Sequence, residues 1–440
     1  MSNLKLNLSN VRNIYFIGIG GIGMSALARF FLHEGKTVSG SDRAASVITE
    51  ALAVEGVTFF PSQVASNISS RQDLELIVYT EAMAPDQEEM VAARLLGVKV
   101  VNYFEALGMI ANEYYLIAVA GTHGKTTTTG MLADVLEEAG LDPTVIIGSL
   151  RSKTGSNFRA GKSKYAVVEA CEYKRDFMSL RPDVLVITNI EYEHVDYYKD
   201  LADVQSAFHA LAVLVPEDGA IITAATDVNI APILVGVQAK VIDYTKSLDL
   251  TIKLRQPGLH VRLDAAAATA VAGFLGVERE ISDSALENFA GTWRRFEYKG
   301  EVLGTSVPVY DDYGHHPTEI RVTMAGAREL YPNRKLIVVS QTHTYSRTAE
   351  LFDDFVNVYA AADQVYLLPI YGAREENVSG VTSEQLVDAI VGRGTSAIMM
   401  QTAAGIAQTI RESLDPATPA VILVIGAGDV TAVAVELTKL

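Results

Sequence analysis

Short apolar runs alternate with longer stretches of helical period along most of the chain, a pattern that predicts parallel sheets covered by helices. Asn13 to Gly18 reads as a buried strand, Gly23 to Glu34 as the helix behind it, and Thr37 to Asp42 as a second strand. Leu74 to Tyr79, Glu88 to Leu96 and Val98 to Asn102 continue as strand, helix and strand. The pattern restarts near Tyr114. Leu116 to Ala120 is then a strand, Thr127 to Ala139 a helix, and Ala166 to Glu169 and Val184 to Thr188 further core strands. It restarts again after Trp293-Arg-Arg-Phe296, with strands at Val307 to Asp311, Lys335 to Ser340, Gln364 to Leu368 and Ala420 to Ile425. Helical stretches such as Pro317 to Leu330 and Ala349 to Ala361 lie between them. The restarts predict an α/β chain of three domains, 1–108, 109–296 and 297–440, with no repeat of solenoid period and no low-complexity linker.

Composition narrows the class of function. A chain of 440 residues suits about three domains, and 49% hydrophobic with 20% charged residues is the make-up of a soluble globular protein. The formal charge of −17 argues against non-specific binding of nucleic acid, which depends on Lys and Arg neutralising phosphates. Cys171 is the only cysteine, so no intrachain disulfide forms. The opening MSNLKLNLSN has no apolar stretch of the secretory kind. The longest nearly apolar run, Ala265 to Val277, is too short to cross a bilayer as a helix. The expectation is a cytoplasmic, soluble protein with neither nucleic acid nor membrane as partner.

Four motifs carry chemistry. Gly18-Ile-Gly20-Gly21-Ile-Gly23 lies between a strand and a helix, where glycines let backbone approach a pyrophosphate and the helix N-terminus stabilises it. Asp42, at the end of the next strand, could accept from a ribose. The motif alone leaves NAD, FAD and a nucleotide sugar open. Gly121-Thr122-His123-Gly124-Lys125-Thr126-Thr127 is a phosphate loop with Val119 where the strict form has glycine. Its backbone N–H groups cradle phosphates, Lys125 adds charge, and Thr126 offers a hydroxyl to Mg²⁺. Glu169 and His194 follow the ends of two strands read as adjacent, and strand C-termini gather on the phosphate-loop edge, within reach of a metal held by Thr126. Cys171 reads as a packed side chain, with no local arrangement that would lower its pKa. The last third carries Asp311, Asp312, Tyr313, His315, His316 and Glu319 after a strand, then His343 and Arg347 after the next. No Cys or further His at ligand spacing supports a closed zinc site there, and the set reads as a substrate face.

In order along the whole length, GIGGIGMSALA, GTHGKTTTTGML, EACE, TNIEYEHVDYY, RRFEYKG, YDDYGHHPTEI, QTHTYSR and IYGAREE resemble the Mur ligases. Within them they resemble the branch that adds L-alanine to UDP-N-acetylmuramate, or its relative the muramyl-peptide recycling ligases. The resemblance implies a Rossmann-like N-terminal domain for the UDP-sugar, a central phosphate-loop ATPase-type domain, and a Rossmann-like C-terminal domain that closes over both. It implies ATP and Mg²⁺ as cofactors, UDP-N-acetylmuramate and L-alanine as substrates in peptidoglycan precursor synthesis, and a monomer or homodimer. It assigns Gly18, Gly20, Gly21, Gly23, Met24, Ser25 and Asp42 to the UDP-sugar. It assigns Gly121 to Thr127, Asn189, His260 and Arg295 to ATP, and Thr126, Glu169 and His194 to the metal. Asp312, Tyr313, His316, His343 and Arg347 form the amino-acid face, and Lys125, His194, His315 and Arg347 are the expected catalytic set. Arg294 or Arg295 is expected to hold phosphate at a domain junction. Several positions depart from the family pattern: Val261 and Asp264 stand where relatives carry asparagine, and Cys171, Tyr173, Lys174, Glu193 and Thr342 replace usual residues.

The chemistry these parts imply is phosphoryl transfer to a carboxylate and attack of an amine on the acyl phosphate, with Asp312, His315 or His316 assisting deprotonation. A NAD-dependent dehydrogenase would account for Gly18 to Asp42 but leave GTHGKTT idle. A regulatory phosphate-loop ATPase would leave the histidine-rich face unexplained.

Overall fold

The protein, a computed structural model, is described over residues 8–439. It divides into two compact units. The first comprises the chain up to Ile190, Gln205–Ser247 and Ala267–Leu286. The second comprises Glu191–Val204, Leu248–Ala266 and Glu287–Leu440.

The first unit holds two sheets. One contains β1 (Asn13–Ile17), β2 (Thr37–Ser41), β3 (Thr58–Phe60), β4 (Leu76–Tyr79) and β5 (Lys99–Asn102), all parallel in the order β3-β2-β1-β4-β5. Strand order reverses between β1 and β4, which is where ligands of open α/β sheets bind. Ile14 to Ile17 are wholly buried, as a strand covered on both faces must be.

The second sheet contains β6 (Tyr115–Ala120), β7 (Thr144–Arg151), β8 (Ser156–Arg159), β9 (Tyr165–Glu169), β10 (Val184–Ile187), β11 (Ala220–Thr223) and β12 (Lys240–Asp243), in the order β12-β11-β10-β6-β9-β7-β8. β9 and β10 were expected to be neighbours. Instead β6 lies between them and pairs with both, so the phosphate loop leaves the strand that Glu169 and Asn189 flank from either side.

The antiparallel hairpin of β7 and β8 is a feature the apolar pattern does not announce. It is anchored by charge: Arg151, only 2% exposed, pairs with Asp134 and lies 2.6 Å from Glu137, both on the helix Lys125–Glu138 that follows the phosphate loop. On the other strand, buried Asn157 donates to Ser25 Oγ at 2.9 Å and accepts from Arg29 on the helix Ile22–His33. The hairpin thus ties the helices that start at the two glycine loops to one another.

The second unit is built on β13 (Glu297–Glu301), β14 (Pro308–Asp312), β15 (Lys335–Ser340), β16 (Gln364–Leu367), β17 (Ser396–Met399) and β18 (Ala420–Ile425), in the order β13-β14-β18-β15-β16-β17. Only β13 runs antiparallel to its neighbour. Alternate residues of β15 enter different cores. Leu336 and Val338 join Phe355, Tyr359 and Leu423 on one face, while Ile337 and Val339 join Ile406, Ile422 and Val433 on the other. The helix expected over Ala349 to Ala361 is two helices, Tyr345–Glu350 and Phe352–Tyr359. Leu351 between them leaves helical backbone (φ −104°, ψ 26°), and the second helix puts Phe355, Val356, Val358 and Tyr359 into the core. No helix of the described residues is long and apolar enough to cross a membrane.

Removing one member of a buried ion pair leaves the other charge uncompensated, at about 3–5 kcal/mol. Arg151→Ala should therefore lower stability by that order in denaturant or thermal unfolding. A variant as stable as the parent would show that the hairpin is not held by its charges.

Candidate functional site

In the first unit the turn after β1 is held from several sides. Gly18 has φ +82° and donates to Ser41 O at 2.9 Å; a Cβ there would stand 2.5 Å from the Thr80 methyl. Gly20 N–H donates to Asp42 Oδ2 at 2.8 Å, so the carboxylate expected at a ribose is bound to the turn itself. Gly21 is exposed and caps the helix Ile22–His33. Met24 and Ser25 are buried, and the Ser25 hydroxyl donates to Ile22 O and accepts from Asn157. Their side chains shape the turn from beneath, and the face open to a ligand is backbone at Gly21 and the helix start.

The phosphate loop is fixed in the same manner. Gly121 has φ +134° and lies so close to Thr188 that a Cβ would meet its hydroxyl. Asn189 clamps the loop: its backbone O accepts from Thr122 N at 3.0 Å, its Oδ1 from His123 N at 2.9 Å, and its Nδ2 donates to His123 O at 3.1 Å. The Thr188 hydroxyl donates to the same carbonyl at 2.5 Å. Gly124, at φ +81°, starts the helix Lys125–Glu138, and Thr127 is buried in its first turn. Val119, in the place of the loop's usual first glycine, is a wholly buried strand residue paired with Glu169 and Val186.

Lys125 Nζ donates to Gly121 O at 2.5 Å and Thr122 O at 3.0 Å, and pairs with Glu172 at 2.9 Å. Burial works against its charge, but Glu172 foremost, with Cys171 and Glu169, outweighs burial and raises the pKa. Glu172 was not assigned a role on sequence; its signal was there in the acid three residues after Glu169. The Thr126 hydroxyl donates to Glu169 Oε1 at 2.9 Å, and Glu169 Oε2 accepts from Gly148 N at 2.8 Å. A hydroxyl and a carboxylate side by side at a phosphate loop are oxygen donors of the kind a hard cation such as Mg²⁺ takes. Burial pushes the Cys171 thiol up to about 12, which leaves it protonated and unreactive.

In the second unit, β14 and β15 deliver the expected substrate face. Asp312, buried, accepts from Phe296 N at 2.8 Å and Gly314 N at 2.7 Å. His316 caps the helix Pro317–Leu330, its Nδ1 accepting from Thr318 N at 3.2 Å, while Glu319 accepts from the backbone of His315 and His316. These are structural bonds at the root of the face. Above them runs an aromatic series: Tyr313 meets His315 edge-on at 5.6 Å, His315 meets His343 edge-on at 5.7 Å, and His343 stacks on Tyr371 at 5.6 Å.

Arg347 is buried and pairs with Glu193 at 2.7 Å, and its Nη1 lies 3.2 Å from His343 Nδ1. Burial opposes the Glu193 charge, yet Arg347 and then His315 hold its carboxyl well below the usual carboxylate range. His194, at φ +55°, donates its N–H to Glu193 Oε1 at 2.9 Å. It belongs to the second unit, while Thr126 and Glu169 belong to the first. Arg294 pairs with buried Asp311 at 3.2 Å, and Arg295 lies over the Tyr313 ring at 5.1 Å. His260 is kept neutral by burial, with a pKa lowered to about 4, and Asp264 is buried.

A glycine turn at a sheet's reversal point, a phosphate loop with a threonine–carboxylate pair on a second sheet, and a third, mostly parallel sheet bearing a histidine face define a nucleotide-handling α/β enzyme. The chain belongs to the Mur ligase family. The model of the family's catalytic domain matches residues 13–115, that of its middle domain 119–251, and that of its glutamate ligase domain 294–428. A UDP-N-acetylmuramate–L-alanine ligase of Caldanaerobacter subterraneus subsp. tengcongensis is 36% identical, over 97% of both chains. One of Clostridium kluyveri is 38% identical over 95% of this chain and 96% of the relative. Among solved structures, the UDP-N-acetylmuramate–alanine ligase of Thermotoga maritima superposes with a TM-score of 0.79 at 27% identity, over 97% and 98% of the two chains. A murein peptide ligase of Psychrobacter arcticus shares the fold at TM-score 0.71 and 24% identity, over 98% and 99%. The three domains are those of a Mur ligase, and the protein is an enzyme of the ligase class.

The imidazoles of His315 and His343 are each lowered to about 4, chiefly by burial; Glu319 opposes the shift at His315, and Arg347 adds to it at both. Between the unfolded value near 6.5 and the folded value, the unfolded chain binds more protons. Their contribution to stability is therefore complete above pH 6.5 and is lost as pH falls towards 4. NMR of the ring resonances should show no titration of either group between pH 5.5 and 8, and a midpoint near 6.5 would contradict the buried, neutral face.

Proposed function

We propose that the protein joins L-alanine to the lactyl carboxylate of UDP-N-acetylmuramate with hydrolysis of ATP to ADP and phosphate, a step of peptidoglycan precursor synthesis in the cytoplasm. The observation that carries this reading is the phosphate loop with Lys125 held charged and Thr126 bonded to Glu169, in a chain matched end to end by ligases of that name.

In this reading the backbone of the Gly121–Thr127 loop and Lys125 hold the ATP phosphates. Lys125 neutralises charge on the γ-phosphoryl group as it passes from ADP to a carboxylate oxygen, so the loop's contribution is positioning and electrostatics. Thr126 and Glu169 are the first unit's donors for Mg²⁺, which would supply further charge neutralisation at the phosphates. The product of this step is an acyl phosphate. The amine of alanine, having lost a proton, adds to the acyl carbon, and the tetrahedral intermediate expels inorganic phosphate to leave the amide. In the second unit, His315 and His343 are neutral imidazoles with lone pairs, but burial and Arg347 make them weak bases, so their part is to accept a hydrogen bond from the amine while its proton passes to solvent. Arg347 is bound to Glu193, so its task is to hold His343 and the face around it, and an amino-acid carboxylate would have to compete with Glu193 for it. Exposed backbone at Gly21 and the start of the helix Ile22–His33 is the place for the UDP pyrophosphate.

Purified protein with ATP, Mg²⁺, UDP-N-acetylmuramate and L-alanine should release phosphate in step with amide formation. Release only when a tripeptide replaces alanine would move the assignment to the recycling ligases. Lys125→Ala should reduce kcat by roughly a thousandfold or more, in line with loss of a charge aimed at a transferring phosphoryl group, while thermal unfolding stays cooperative. A variant that keeps its activity would remove the loop from the mechanism.

A further inference from the structure

Tyr103, which none of the sequence motifs includes, lies against the glycine turn. It is the first residue of the helix Tyr103–Ala111, whose cap Asn102 accepts from Glu105 N at 2.8 Å in a reciprocal capping box, so the start of the helix and the root of the tyrosine are fixed. A Cβ built on Gly23 would stand 2.6 Å from Tyr103 Cζ and 2.8 Å from its hydroxyl oxygen. The hydroxyl end of the ring therefore occupies the space that a side chain at 23 would need. Gly23 is the second residue of the helix Ile22–His33, within the first turn, where backbone N–H groups lack partners inside the helix. No group of the described residues hydrogen-bonds the Tyr103 hydroxyl, and the residue is only partly buried.

The phenol also feels the other half of the first unit. Burial first, then the charges of Glu169 and Cys171, raise its pKa well above the ordinary tyrosine value. A phenol that keeps its proton at every working pH is a hydrogen-bond donor and never a competing anion. A donor of this kind beside a helix N-terminus completes an anion site.

We propose that Tyr103 binds substrate directly, its phenol O–H donating to a phosphate oxygen of the UDP-sugar pyrophosphate seated on the N-terminus of the helix Ile22–His33. This rests on the reading of the glycine turn as the UDP-sugar site. In that arrangement Gly23 serves the tyrosine and Gly21 serves the ligand.

The test is Tyr103→Phe, which keeps the ring over Gly23 and removes only the hydroxyl. UDP and UDP-N-acetylmuramate are the probes for calorimetric binding, with steady-state kinetics beside them. Loss of a hydrogen bond to a charged group predicts weakening of both ligands by roughly tenfold. The KM for UDP-N-acetylmuramate should rise by the same factor, while kcat, the KM for ATP and the thermal midpoint stay at parental values. Unchanged affinity for UDP in the variant, against a parent that binds it, overturns the assignment of Tyr103 and leaves the UDP-sugar reading standing. A loss seen with UDP-N-acetylmuramate but not with UDP also overturns it, because the contact would then be to the sugar or its carboxylate. A parent that binds neither ligand overturns the UDP-sugar reading itself, and Tyr103 with it.

Discussion

The ammonium of Lys125 is a charge taken out of water, and the first unit is arranged around keeping it charged. A lysine in such a place would ordinarily lose its proton. Glu172 prevents this at 2.9 Å, and the carbonyls of Gly121 and Thr122 accept hydrogen bonds from the ammonium. Those carbonyls belong to the loop itself, so the side chain stitches together the backbone it will serve. The other side of the loop is held by Thr188 and Asn189, which follow β10, and the helix behind it is held by Arg151 from β7. Strands on both sides of β6 thus contribute to one small turn. The order β10-β6-β9 is what makes that possible, because it brings the ends of β9 and β10 to opposite flanks of the loop rather than to one.

The second unit repeats the logic with different residues. Arg347 with Glu193 and Arg294 with Asp311 are buried pairs in which neither partner is expendable once the other is present. Each lies next to the histidine and tyrosine side chains of the face: His343 beside Arg347, and Tyr313 under Arg294 and Arg295. Such pairs contribute little net stability compared with apolar replacements, but they fix geometry, since a desolvated guanidinium tolerates few arrangements. The positive surroundings have a second consequence. Arg347 disfavours protonation of His315 and His343, which with burial keeps both imidazoles neutral.

Much of this was legible in the sequence because parallel strands covered on both faces are unbroken apolar runs, and the glycine and threonine loops stand directly after them. Pro317 to Leu330 is a helix with those same ends, and Pro317 and Glu319 suit its first turn. What stayed hidden has a common cause: it depends on contacts distant in sequence. From Gly148 to Arg159 the β7–β8 hairpin is rich in Ser, Arg and Gly and has the composition of a loop; Arg151 and Asn157 anchor it there through partners on two helices. Leu351 interrupts a stretch of good helical period where the chain passes from a helix that buries Arg347 and Thr348 to one that buries Phe355, Val356, Val358 and Tyr359. Arg347 looked like a free cation for a substrate anion, and no spacing rule connects it to Glu193, which precedes it by more than a hundred residues.

The glycine motif shows most clearly how a pattern can be right about a place and incomplete about its parts. Read as chemistry, its glycines all let backbone approach a pyrophosphate. Read as geometry, they divide. Gly18 yields to Thr80, Gly20 to Asp42 and Thr49, and Gly23 to Tyr103, whereas a Cβ at Gly21 would meet nothing closer than 3.5 Å. Three of the four leave room for neighbouring side chains, and the neighbours come from different segments: Asp42 from after β2, Thr49 from the helix Val47–Glu55, Thr80 from after β4 and Tyr103 from after β5. The turn is therefore the point where the C-terminal ends of the first sheet are drawn together. Residues that do so end up surrounding whatever binds there. A motif defined by missing side chains thus marks the place where side chains from outside it, Asp42, Thr80 and Tyr103, close round one turn.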